Sequence, residues 1–140
     1  MTDLSEDVHP LDIAKEISNL GLVDAIVQTG FVTDEQKVNL MKNAQALVFP
    51  SLYEGFGLPI LEAQSLGLPV LTSKTSSIPE VSADSVEYIE PNYTSSIVEG
   101  MNNLKNESRR LELAELGKSN CQRFSWEKAA KETYESLTSK

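Results

Sequence analysis

In 140 residues this chain has one cysteine, Cys121, and one histidine, His9. A lone thiol cannot close an intrachain disulfide, so nothing in the sequence asks for an oxidising compartment. One imidazole and one thiol also exclude a His/Cys metal site. No apolar run approaches the roughly 20 residues that a membrane-spanning helix needs. The opening MTDLSEDVHP is acidic and polar, where a signal peptide would be basic and then apolar. A cytoplasmic setting without a transmembrane segment is expected, and peripheral membrane attachment through another domain stays compatible with it.

Cations are also scarce. Twelve Lys and Arg face 21 Asp and Glu, for a formal charge of −9. That balance argues against an electrostatic grip on nucleic acid or anionic lipid, so no nucleic-acid partner is expected. The deficit is uneven: residues 1–70 carry ten acids and three bases, residues 71–140 eleven acids and nine bases. A phosphate group bound by the first half must therefore be met by backbone N–H groups and helix dipoles.

What the chain does have is enough apolar content, 40 %, to build the core of one ordinary domain. Residues 1–10 read as a loose leader. Ile13, Ile17 and Leu20 then recur at helical spacing, and Gly21 supplies a stop. Residues 25–32 form a short β-rich run ended by Thr33 and Asp34. Thr33 and Gln36 have capping-box spacing before a second helix with Val38, Leu40 and Met41 on one face. Residues 46–50, ALVFP, suit a strand buried on both faces of a parallel sheet. Pro59 opens a helix through Leu66 that Gly67 ends, and residues 69–72 and 86–89 are further strands. From Thr94 the pattern is helical, with breaks near Asn106 and Phe124, and Ser125 is a suitable N-cap for a last helix over residues 125–138. Strands alternating with helices predict an α/β fold: a Rossmann-like open parallel sheet with helices on both faces. Ligands bind such sheets beyond the carboxyl ends of the strands. The loops at residues 51–58 and 73–77 should share one crevice there.

The chemistry concentrates in residues 49–63, FPSLYEGFGLPILEA, where two carboxylates flank a glycine-bearing turn that opens into a helix. Gly55 and Gly57 are free to take positive φ and let a ligand approach the backbone. N–H groups of Gly57, Leu58 and Ile60 would lie near the helix start, with Pro59 at a position that needs no donor. A diphosphate there meets the positive end of the helix dipole, a stabilisation of about 0.3–2 kcal/mol. Glu54 before the turn and Glu62 one helical turn in would repel phosphate but accept sugar hydroxyls. The arrangement suits a nucleotide diphosphate sugar.

At this point the sequence resembles the retaining GT-B glycosyltransferases of family 4, also called glycosyl transferases group 1. Their Glu-x7-Glu motif stands here as Glu54, GFGLPIL, Glu62. GFVTDEQ precedes it, ALVFPS leads in, EAQSLGLPVLTS leads out, and SSIPEV and FSWEKAA follow. The resemblance spans about residues 20–138 and implies the C-terminal, donor-binding half of a GT-B enzyme. By position it implies that Glu54 acts at the donor sugar as the catalytic-site carboxylate. Gly55, Phe56, Gly57 and Leu58 would meet sugar and diphosphate, Glu62 would hold the ribose, and Thr75, Ser76 and Ser77 would form a donor loop. It further implies hexosyl transfer, a place in polysaccharide biosynthesis, a UDP-, GDP- or ADP-sugar as substrate, no cofactor and no metal.

The chain departs from the family in one large respect. Members open this half with two strands and a glycine-bearing loop that supply a basic pair, and carry a whole N-terminal acceptor domain before it. Lys15, Lys37 and Lys42 stand in no matching context, and His9 cannot be assigned to the histidine of that missing domain. Residues 1–140 therefore read as a single, incomplete nucleotide-sugar-binding domain, expected to be inactive alone and to rely on the missing acceptor domain or on another chain. If the strand order is 3-2-1-4-5-6, loss of the first strands leaves a gap inside the sheet and a chain that is marginally stable, rearranged or paired.

Blander readings stand beside these. An isolated E-x7-E pair would be two solvated acids, and the glycines would serve the turn even without a ligand. A hydroxyl-rich loop after a strand is common. Glu80 after Pro79 suits a helix start for dipole reasons alone. Phe49 and Cys121 read as core, and Trp126 as packing the last helix onto the sheet. A noncatalytic nucleotide-sugar-binding or assembly module is the alternative function. A sugar-nucleotide epimerase of the same shape is a third, disfavoured by the full EGFGLP and SSIPEV segments.

Overall fold

A computed structural model describes residues 10–139, with side chains from Ile13 onward. Of the leader expected over residues 1–10, residues 1–9 lie outside the described residues, and Pro10 already belongs to a helix. The chain divides into two compact units, one reaching Lys37 and one running from Val38 to Lys140.

The first unit holds helix α1, Pro10–Asn19, which Gly21 terminates with φ 66°. Beyond a turn, residues 25–32 form no strand. The β-rich composition is there, but a strand exists only through hydrogen bonds to a neighbour, and this segment pairs with none of the strands of the sheet. Helix α2, Asp34–Asn43, begins at the expected capping box. The Thr33 N–H donates to Gln36 Oε1 at 2.9 Å, and the Gln36 N–H donates to Thr33 Oγ1 at 3.3 Å.

The second unit is built on three parallel strands in the order β1-β2-β3: Leu47–Phe49, Val70–Ser73 and Glu87–Ile89. The register pairs Val48 with Leu71, and Thr72 with both Phe49 and Tyr88. Between the strands lie α3, Leu58–Ser65, and α4, Ile78–Ser82; after them come α5, Thr94–Asn103, α6, Glu107–Cys121, and α7, Trp126–Thr138. Central β2 is buried along its whole length. Edge strand β1 is not, contrary to the sequence expectation of burial on both faces, and Val48 stays 41 % exposed. An apolar run marks a strand, but only a neighbour on each side and a layer on each face can bury it.

Adjacent residues of β2 serve opposite faces, as the alternation of a strand requires. Val70 joins Ile60, Ala63, Leu68, Ile78 and Val86; Leu71 joins Ile89, Leu104 and Leu113. Helices α3 and α4 therefore cover one face, and α5 and α6 supply the other. Packing is tight enough that a Cβ on Gly100 would lie 2.6 Å from both Ile89 Cγ2 and Leu71 Cδ1. Each buried Leu or Ile stabilises the fold by about 1.5–3 kcal/mol.

Buried amides tie α3, α4 and α6 together. Asn120 Nδ2 donates to Gln64 Oε1 at 2.8 Å and to the Val81 carbonyl at 2.9 Å, and Gln64 Nε2 donates to Ser85 Oγ at 2.7 Å. Such partners are what make buried polar atoms tolerable. Ser125 caps α7 as expected, accepting from the Lys128 N–H. That helix buries none of its residues, and Trp126, expected to pack it onto the sheet, is 80 % exposed. Cys121 is half-buried rather than core, its thiol donating to the Lys118 carbonyl.

A clamped carboxylate loop at the head of a helix

Strands β1 and β2 run parallel, so the loops at their carboxyl ends, residues 50–57 and 74–77, emerge side by side. The first expected loop carries Glu54; the second carries the expected Thr75, Ser76 and Ser77. The structure joins them through hydroxyls. Ser76 Oγ donates to the Glu54 carbonyl at 2.6 Å and Ser77 Oγ to the same oxygen at 3.0 Å. Two residues of the second loop and strand end do the same for Ser51: Ser73 Oγ donates to its carbonyl, and Thr75 Oγ1 does so at 3.2 Å. Each carbonyl oxygen has two lone pairs, and here each receives two hydroxyl groups. Ser76 is held at φ 54°, a left-handed conformation that a residue with a Cβ adopts at a cost of about 1–2 kcal/mol; its hydrogen bond to Glu54 helps to hold it there.

Gly57 makes the turn from this loop into α3. It is the N-cap at φ 97°, where a side chain would be strained, and an added Cβ would stand 3.3 Å from Ile60 Cδ1. Gly55, given the same conformational role from sequence, has no positive φ, and a Cβ there would meet nothing within 4 Å. The helix begins at Leu58, one residue before the expected Pro59. The Ile60 N–H, expected to be open to a ligand, donates to the Gly57 carbonyl at 3.0 Å. That leaves the backbone of Gly57 and Leu58 at the positive end of the helix. Glu62 sits one turn into α3, half-buried.

Phe56 carries its side chain toward the carboxyl end of α6. Its ring meets Phe124 edge to face, with centroids 5.8 Å apart at 89°, and the Arg123 guanidinium lies 5.1 Å from the Phe124 centroid. Arg123 itself donates to Asn120 Oδ1 at 2.8 Å and to the Glu80 carbonyl at 3.3 Å. A groove of about 780 Å³ runs beside these rings, lined among others by Phe56, Leu58, Glu62, Phe124, Trp126 and Lys128. It has an apolar wall, one of the two motif carboxylates and cationic side chains. Lys74, the cation of the second loop, is drawn aside, its ammonium 5.7 Å from the Tyr88 ring centroid. The Tyr88 phenol donates to the Ala83 carbonyl at 2.6 Å, and burial, then the charge of Asp84, raises its pKa above the ordinary 10.0.

Sequence reading expects Glu54, Gly57, Leu58, Glu62 and the hydroxyl loop in one neighbourhood; the structure joins Glu54 to Ser76 and Ser77 by hydrogen bonds, puts Gly57 on the N-cap of α3, and has Leu58 and Glu62, without Glu54, lining the groove. It missed Ser51, whose hydroxyl donates to Glu54 Oε1 at 2.8 Å. A serine three residues before an acid was the available signal. Phe124 was legible as a helix break and as the first residue of FSWEKAA, but its contact with Phe56 had no local signal, because the two are distant in sequence.

The family model described as glycosyl transferases group 1 matches residues 10–123. The O-antigen chain mannosyltransferase B of Escherichia coli is 40 % identical over 105 residues, covering 74 % of this chain and 28 % of that protein. Anabaena HepE, solved in complex with UDP and glucose, superposes with a TM-score of 0.82 at 22 % identity, over 93 % of this chain and 36 % of that one. The C-terminal domain of a glycosyl transferase group 1 family protein, LpcC of Francisella tularensis, gives a TM-score of 0.68 at 25 % identity over 81 % of this chain and 60 % of that one. The chain thus spans less than a third of the mannosyltransferase and little more than a third of HepE. No helix among the described residues is long and apolar enough to cross a membrane. On the match over residues 10–123 and the shared parallel sheet, this chain belongs to the glycosyl transferases group 1 family and has the fold of part of a GT-B C-terminal domain.

Proposed function

We propose that this chain is the nucleotide-sugar donor-binding part of a retaining glycosyltransferase that moves a hexosyl group to a sugar, lipid or protein acceptor. The observation that carries the reading is Gly57 at φ 97° on the N-cap of α3, between a Glu54 loop clamped by hydroxyls and a Glu62 one turn into the helix. The backbone of Gly57 and Leu58 and the helix dipole would receive the diphosphate. Glu62 would accept from the ribose hydroxyls and Glu54 from the transferred sugar, with Gly55 and Phe56 lining the sugar's approach. Thr75, Ser76 and Ser77 would act chiefly by holding Glu54. The names of the mannosyltransferase relative and of the structure with UDP and glucose support a hexose and a nucleotide. Donor binding here needs no cofactor or metal, and a cytoplasmic site, peripheral to the membrane in the longer enzyme, fits a cytoplasmic sugar-nucleotide supply.

One observation favours a second reading, a noncatalytic nucleotide-sugar-binding or assembly module. Residues 44–73, which include both motif carboxylates, contain no Lys or Arg, and Arg123 and Lys74 are engaged elsewhere. A departing diphosphate needs neutralisation; the groove's other cation, Lys128, already stands 3.8 Å from Glu132, so in this reading a residue of the rest of the enzyme or of a second chain supplies the charge. In this proposal the chain alone binds donor and transfers nothing.

Calorimetric titration with UDP, GDP, ADP and their glucose or mannose conjugates tests the reading. Glu62→Ala is expected to weaken saturable binding by about 1.5–3 kcal/mol, the range for a hydrogen bond to a charged group. Unchanged affinity removes Glu62 from the site. Product analysis with the complete enzyme then separates transfer from binding alone.

A further inference from the structure

We infer that Ser51 is a positioning residue: its hydroxyl aims the Glu54 carboxylate, and so sets how much the transferred sugar adds to donor affinity. The inference rests on the reading above that Glu54 meets the sugar. Glu54 occupies an awkward place for a group that must point one way. Its neighbours Tyr53 and Gly55 are exposed, Tyr53 at 79 %, and nothing lies within 4 Å of a Cβ built on Gly55. Its sequence neighbours therefore do little to restrict the side chain, although Glu54 itself is half-buried. Main-chain position is well determined, because Ser76 and Ser77 both donate to the Glu54 carbonyl. That fixes the backbone and leaves the carboxylate's rotamers to something else.

Ser51 supplies it. Its Oγ stands 2.8 Å from Glu54 Oε1 and 3.1 Å from the Tyr53 carbonyl. One hydroxyl hydrogen cannot serve both fully, and the shorter contact, to the ionised group, is the stronger. Ser51 is itself anchored: its N–H donates to the Phe49 carbonyl at 2.9 Å, and its carbonyl receives Ser73 Oγ and Thr75 Oγ1. The hydroxyl is thus borne by a residue tied to the ends of β1 and β2. Among the described residues its hydrogen bond is the one donated to the Glu54 carboxylate, and in this proposal a ligand hydroxyl takes Oε2. The arrangement is an anchored donor holding one oxygen of the carboxylate.

The test compares a nucleoside diphosphate with its sugar conjugate on the same 140-residue chain, by calorimetry with UDP against UDP-glucose and GDP against GDP-mannose. Ser51→Ala is expected to leave the affinity for the bare diphosphate unchanged and to reduce the extra affinity conferred by the sugar by about threefold to tenfold, the range for one hydrogen bond. Ser51→Thr, which keeps the hydroxyl, is expected to restore it. A merely structural role for Ser51 would loosen the loop that leads to Gly57 and weaken diphosphate and conjugate alike; that result overturns the inference. So does a sugar contribution that survives in Ser51→Ala, which leaves the donor-site reading standing; a wild-type chain that binds conjugate no better than diphosphate overturns the inference together with the sugar-contacting role of Glu54, and leaves only the nucleotide-binding part of that reading. Absence of binding by a chain shown to be folded by circular dichroism overturns both together.

Discussion

Residues 13–37 and residues 38–139 have similarly patterned sequences and opposite fates. The first stretch has apolar residues at helical spacing in α1 and a β-rich run after it, yet Leu20 and Val23 are each 63 % exposed, Val27 84 % and Phe31 100 %. The second contains all eleven buried hydrophobic residues among those described, with Ile60, Val70, Leu71 and Ile78 at 0 %. Each unit is regular within itself: the capping box at Thr33 is as well formed as the cap at Ser125. The difference lies in pairing. Local spacing makes a helix, but burial needs an opposing layer, and among the described residues only those of the second unit form a sheet with helices against both faces.

The largest effect should come from Leu71→Ala, which empties the centre of β2 and removes contacts with Ile89, Leu104 and Leu113; a urea melt should show a loss of about 2–5 kcal/mol. A loss below about 1 kcal/mol would mean that the second unit has no rigid core. Next stands Asn120→Ala. It strips the donors from Gln64 Oε1 and the Val81 carbonyl, at about 1–3 kcal/mol for buried acceptors left unmade, and the same melt reads it. A neutral result would show water replacing the amide.

Gly57→Ala is expected to cost about 1–2 kcal/mol from the left-handed backbone alone, and it should also weaken diphosphate binding, because the α3 N-terminus must shift. Retained affinity in the melted-down variant would separate turn geometry from the ligand. At the small end, Phe31→Ser should change stability by less than about 0.5 kcal/mol, as for surface substitutions. A loss comparable to that of Leu71→Ala would break the comparison, by showing that the first unit buries Phe31 in solution. Hydrogen exchange sharpens the same contrast: amides of β2 should be protected to the full unfolding free energy and those of residues 22–32 hardly at all.

Much of the site was legible in the sequence because its signals are local. Gly57 before Leu58 and Pro59 marks a turn into a helix, Glu62 falls one turn later by spacing, and Thr33 with Gln36 specifies a helix start within four residues. The motif order from GFVTDEQ to FSWEKAA gave the family. Less legible was whatever depended on distant partners. Gly55 and Gly57 look alike as residues, and only the path from β1 to α3 decided that Gly57 alone takes positive φ. The hydroxyls of Thr75, Ser76 and Ser77 could have faced a ligand, and the parallel register of β1 with β2 turned them onto the backbone of Ser51 and Glu54. Trp126 has the composition of a core anchor and stands 80 % exposed.

By itself, then, the sequence determined the helices and their caps, the alternation of α and β elements, and the carboxylate-flanked turn at the head of α3. These rest on interactions within about one helical turn, or on the alternation of a strand. Tertiary structure alone decided that residues 25–32 form no strand, that β1 is a half-exposed edge, that Asn120 and Gln64 meet between α3 and α6, and that Ser51 holds the Glu54 carboxylate in a loop clamped by hydroxyls. Those outcomes depend on which surfaces meet. A chain segment encodes its own conformational preference, but the hydrogen-bond partner or apolar layer that satisfies it lies elsewhere in the fold.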